Sequence, residues 1–170
     1  EAIQGGEWYR AFTALFLHGD IGHLAGNLLF GAVFLHLVAR HVGTVRAWLA
    51  VLFAGIVGNL LNAFIQLGET HYSIGASTAV FGAIGVLVML PVGFAARHAP
   101  RRLRRIWVLP LLVGFAFLAW FGTGSDRTDT SAHLMGFLSG LPVGLAMGLL
   151  VRTEPYNEIG RASCRERVCH

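Results

Sequence analysis

The 170-residue sequence predicts an all-α fold, a polytopic transmembrane helix bundle. Charge is scarce: charged residues are 13% of the chain, about half the share of an average soluble domain, and 55% of residues are hydrophobic. Mean hydropathy is +0.62. Five stretches read as spans against the roughly 20 mostly apolar residues that a bilayer crossing needs. Arginine is distributed as membrane topology requires. With the segment before Ile21 placed outside, the inner side carries Arg40, Arg46, Arg97, Arg101, Arg102, Arg104, Arg105 and Arg152. Before the tail, the outer side carries only Arg10 and Arg127. That bias fixes the orientation by the positive-inside rule.

The length is that of one domain. Residues 1–17 form a polar-to-amphipathic outer segment whose Trp8 and Tyr9 suit a membrane interface. Residues 18–152 form the helical core, with spans at about Ile21–Val38, Val45–Leu67, Gly75–Phe94, Ile106–Phe121 and Ala132–Val151. None contains Asp, Glu, Lys or Arg apart from Arg46 at one edge. A soluble helix of this length needs a polar face, and none of the five has a wide one. Residues 153–170 break this composition and are expected to be a disordered tail, in part artefactual, with 159–168 reading as translated adapter sequence. An odd number of spans and a start in an outer segment imply a fragment with an upstream helix cut away. Cys164 and Cys169 lie together at the end of the chain and define no disulfide framework or zinc pattern. The basic pI reflects topology: the 101–105 arginines read as a juxtamembrane patch beside anionic lipid, and nucleic acid is not an expected partner.

Polar groups inside spans are expensive and mark function. In the first span His23 and Asn27 are four apart and share a face, while His18 lies off that face or in the preceding loop. Polar glue between helices is the simplest account of that pair. In the second span Asn59 and Asn62 read as interhelical hydrogen-bonding residues. Ser77 follows Gly75-Ala76 at the outer start of the third span. A serine there is most often a cap. The same position also offers unpaired amides and a helix dipole to a developing oxyanion. Phe81 shares the face of Ser77 one turn on, where an aromatic either packs the core or holds an imidazole ring. In the last span His133 precedes Gly136, Gly140 and Gly144, a small-residue stripe that aims it at a neighbouring helix. Asp126 and Asp129 precede His133 and read as solvated loop charges, though either could orient an imidazole. His36, His41, His71 and His98 carry no expected role. The sequence lacks a His-x-x-x-His or His-Glu-x-x-His pair, and no carboxylate lies inside a span. It also lacks the Gly-x-Ser-x-Gly elbow of α/β-hydrolases.

Taken in order, these residues resemble the rhomboid proteases. The match consists of His18, His23 and Asn27, then Gly75-Ala76-Ser77, then Ala132-His133 with Gly136 and Gly140. Trp8-Tyr9-Arg10 resembles that family's first-loop Trp-Arg motif, and the likeness covers about residues 7–151. It implies a core of six spans, five of them present here. It implies an intramembrane serine endopeptidase without cofactor or metal, acting on single-span transmembrane proteins near the outer face. Ser77 would be the nucleophile and His133 its base, in a dyad lacking an acid. His23, Asn27 and the Ser77 amide would stabilise the oxyanion. Phe81 would lie under the imidazole, with His18 and Gly75 supporting. Thr78 stands where the family commonly has Gly, and a stiff β-branched residue there is expected to narrow the pocket. The expected location is a bacterial cytoplasmic membrane with the site facing outside. The alternatives are an inactive relative that binds membrane clients, and a small transporter, which would need the polar residues to continue to the inner face.

Overall fold

The computed structural model describes residues 2–66, 73–98, 108–121 and 129–151. Every regular element among the described residues is helical. A short helix α1 (Arg10–Thr13) continues into a 3-10 turn (Ala14–Phe16). Then come α2 (Ile21–Val42), α3 (Thr44–Ile65), α4 (Ser77–His98), α5 (Val108–Phe121) and α6 (Thr130–Leu150). α2, α3, α4 and α6 are each 21 or 22 residues and apolar enough to cross a membrane. At 1.5 Å per residue they reach about 32 Å, which matches the roughly 30 Å hydrocarbon layer. The span expected at 106–121 is seen as a 14-residue helix, Val108–Phe121. The chain is an all-α polytopic helical bundle. The expected tail, the 101–105 arginines, His71 and Asp126 lie outside the described residues.

Local chemistry sets the helix ends. Asp20 caps α2, its carboxylate accepting from the His23 amide at 2.8 Å. α2 runs four residues past the expected end at Val38. Arg40 and His41 in its last turn complement the helix dipole, so polarity there does not end the helix. Gly43 does, with φ +85, and its amide bonds to the Ala39 carbonyl at 2.8 Å. The same residue opens α3, so one glycine forms the whole connection.

α4 is the centre of the bundle: 67% of its spanning stretch is buried, against 6% of that in α2. Its main partner is α6, which runs parallel to it. A methyl added at Gly136, Gly140, Gly144 or Gly148 would strike the carbonyl of Thr78, Gly82, Val86 or Leu90 respectively. The two helices thus meet backbone to backbone over four successive turns. α4 answers with Gly85 against Phe137 and Gly140, and Gly93 against Leu145 and Gly148. α3 closes on both: an added methyl at Gly58 would lie 2.8 Å from Gly136 Cα and from Thr78 Cγ2. In lipid, where apolar burial supplies little drive between helices, such close packing supplies it. The α6 stripe was legible in the sequence. Its partners on α3 and α4 were not.

Asn59 and Asn62 are buried and bond between elements, as expected. Asn59 Nδ2 donates to the Ala11 carbonyl at 2.9 Å and so fastens the outer segment to α3. Ala11 and Leu15 face inward there, while Trp8, Tyr9, Phe12 and Phe16 are exposed. Arg10 pairs with Glu7, which raises the guanidinium pKa further.

Candidate active site

Four helices contribute to one cavity of about 570 Å³ at their outer ends. α2 supplies His23 and Asn27, α4 supplies Ser77 and Phe81, α5 supplies Phe117, and α6 supplies His133. The approach to α4, Ser73 and Ile74, and the α6 cap Asp129 complete the rim.

Ser77 is the first residue of α4 and is half-buried. The segment that delivers it is fixed at Gly75, whose amide donates to the Ala14 carbonyl at 2.9 Å. Gly75 has φ +117, a conformation that glycine adopts without strain. It also lies against α2. A methyl at Gly75 would sit 2.5 Å from His23 Nε2, 2.6 Å from His23 Cε1 and 3.3 Å from Asn27 Nδ2. Both α2 side chains therefore face the backbone two residues before Ser77. His18 lies in the loop before α2, its ring packed edge-on to His23 with centroids 5.2 Å apart.

One turn into α4, the Phe81 ring stacks on the His133 imidazole, with centroids 4.5 Å apart and planes 27° apart. His133 is buried at 7% exposure. It emerges from α6 one turn above Gly136, so the glycine register that seats α6 on α4 also sets its depth. Gly136 and Gly140 thus act as packing residues in the helix interface. The structure brings Ser77, His133, His23, Asn27, Phe81, His18 and Gly75 to one place. His36, His41 and His98 sit at the inner ends of their helices and are exposed.

Two expectations need correcting. Thr78 does not line the cavity. It is 2% exposed, and its methyl points at Gly58 and Gly136. Its β-branch packs the α3–α4–α6 junction and leaves the pocket width untouched. Asp129 is not a solvated loop charge. It caps α6, its Oδ1 accepting from the Ala132 amide at 2.9 Å and the Ser131 hydroxyl at 2.7 Å. Its Oδ2 accepts from Asn62 Nδ2 at 3.0 Å. Gln66 Nε2 donates to the Ser131 hydroxyl at 2.8 Å, so four polar side chains join α3 to the start of α6. The sequence signal was an Asp three residues before Ala132, at a helix start.

The chain matches the Rhomboid domain family over residues 5–150. It is 42% identical over 142 residues to rhomboid-like protein 11, chloroplastic, of Arabidopsis thaliana, covering 79% of this chain and 50% of that protein. It is 33% identical over 147 residues to the rhomboid protease GluP of Bacillus subtilis, covering 86% of this chain and 27% of that protein. It is 30% identical over 156 residues to inactive rhomboid protein 1 of Drosophila melanogaster, covering 90% of this chain and 10% of that protein. The chain thus spans about half or less of the length of these relatives. No solved structure matches it significantly.

Proposed function

The chain belongs to the rhomboid family, and from that premise we propose that it is an intramembrane serine endopeptidase using Ser77 and His133. The observation that carries this reading is one cavity in which His23 and Asn27 face the Gly75 backbone beside Ser77, while His133 stacks on Phe81 one turn beyond. It is an integral, multi-pass membrane protein, and every one of these residues lies at an outer helix end.

The substrate is a single-span membrane protein whose helix unwinds near the outer face at small residues. A helical peptide bond is shielded and its polar groups are already paired, so an extended segment must enter the cavity. Ser77 Oγ attacks the carbonyl carbon as the neutral His133 imidazole takes its proton. Phe81 holds that imidazole by its ring plane. Negative charge then develops on the former carbonyl oxygen. The Ser77 amide at the α4 N-terminus, His23 and Asn27 are placed to donate to it, and the helix dipole adds to them. His133 returns the proton to the leaving amine. Water from the outer side then cleaves the acyl-enzyme, with His133 as base again. The site faces outside because the arginines gather at the other ends of the helices, and the membrane we propose is a bacterial cytoplasmic one.

One relative is named inactive, which raises a role in binding membrane clients without cleaving them. Retention of both Ser77 and His133 in the cavity favours the enzyme. The test is cleavage of a model transmembrane substrate in detergent and nanodiscs, with labelling by a serine-directed phosphonate. Wild type should cleave and label, while Ser77→Ala and His133→Ala should do neither. Cleavage by Ser77→Ala at the wild-type rate would overturn the reading.

A further inference from the structure

We propose that Asp129 is a positioning residue for His133, acting through a clamp that fixes the first turn of α6 to α3. The inference rests on the Ser77–His133 reading above. Asp129 holds α6 by both main chain and side chain. Its carbonyl accepts from the His133 amide at 3.1 Å, and its carboxylate accepts from the Ala132 amide at 2.9 Å. The imidazole-bearing residue is thus the one whose amide closes the first α-helical turn on Asp129. The other carboxylate oxygen reaches Asn62 on α3, which is 2% exposed and cannot yield sideways. Gln66, the residue that caps the end of α3, grips the same turn through Ser131. Below this clamp α6 is held by glycine contacts, which fix its distance from α4. Glycine contacts carry no side-chain directionality at the helix end. The clamp supplies it, on the side of α6 bonded to α3, and Phe81 meets His133 from α4. The first turn of α6 is thus tied to α3 while the ring is held from α4.

The clamp needs one acceptor for the Ala132 amide and the Ser131 hydroxyl and a second hydrogen-bonding atom for Asn62, more than it needs a charge. Asn62 Oδ1 is buried without a partner, so the Asn62 amide can turn over and accept from an asparagine at 129. Asp129→Asn therefore keeps the clamp, and Asp129→Ala removes it.

The experiment uses purified protein in nanodiscs, with active sites counted by phosphonate labelling so that misfolded protein drops out. Per labelled site, Asp129→Ala should lose about tenfold to a hundredfold in kcat, as a misplacement of up to about 1 Å at a reacting group does, with KM within about twofold. Asp129→Asn should retain kcat within about threefold. Asn62→Ala should lower kcat, and adding it to Asp129→Ala should cost little more. The His133 ring resonance in ¹³C-histidine protein should move in Asp129→Ala and stay in Asp129→Asn. Wild-type kcat per labelled site in Asp129→Ala, an equal loss in Asp129→Asn and Asp129→Ala, or an unmoved His133 resonance in Asp129→Ala would each overturn the proposal. Failure of the dyad itself reads differently: wild type would not label, and the resonance would still report the clamp.

Discussion

Gly75→Ala should abolish the proposed cleavage with the fold intact. The added methyl meets His23 Nε2 at 2.5 Å and Cε1 at 2.6 Å, where ordinary contact begins at 3.4 Å. The imidazole must retreat by about 0.9 Å, and displacement of that size at a reacting group costs on the order of 100-fold in rate. Asn27, at 3.3 Å, is pressed less. Alanine also pays for φ +117, a strain of about 1–3 kcal/mol, since the bond to Ala14 holds the segment in place. The assay is kcat per phosphonate-labelled site on a transmembrane substrate, with thermal unfolding followed alongside. A double-mutant cycle isolates the clash: in a His23→Ala background no ring remains to be displaced, so Gly75→Ala should cost far less there. Wild-type kcat in Gly75→Ala, or full additivity with His23→Ala, would refute the claim that Gly75 keeps His23 in register with Ser77.

Gly136→Ala should destabilise the bundle by about 1–3 kcal/mol as an overpacking substitution, and lower cleavage with it. The methyl meets the Thr78 carbonyl group, with Thr78 C at 2.9 Å and Cγ2 at 3.0 Å, and unfolding in detergent would measure the loss. By contrast Gly26→Ala, whose methyl meets nothing within 4 Å, should raise helix stability by up to about 1 kcal/mol in the same measurement. Phe81→Ala removes a 5%-exposed ring stacked on His133, and should cost about 3–5 kcal/mol in stability and also lower kcat per labelled site.

The membrane fold was legible because the bilayer leaves few options: runs of apolar residues between arginines have one reading. The candidate site was legible for a related reason. His23, Asn27, Ser77 and His133 stand out because lipid-embedded sequence tolerates few polar residues. What stayed hidden was pairwise. Gly82, Gly85, Gly55 and Gly58 look like any small residues until a facing helix gives them a partner. Thr78 follows Ser77 in sequence, yet a helix turns about 100° per residue, which carried it from the cavity to the junction with Gly136. Asp129 reads as a loop charge, since its partner Asn62 is 67 positions away.

The glycine seam between α4 and α6 also has a mechanical meaning. Four carbonyls of one helix fit four gaps in the other at the same four-residue spacing. A slip by one residue would turn every gap away from its carbonyl, and the next matching notch lies about 6 Å along the axis. The level of His133 relative to Ser77 is therefore indexed like a ratchet. A thinner or thicker bilayer can tilt the pair together, but it has no intermediate setting at which to leave one sliding past the other.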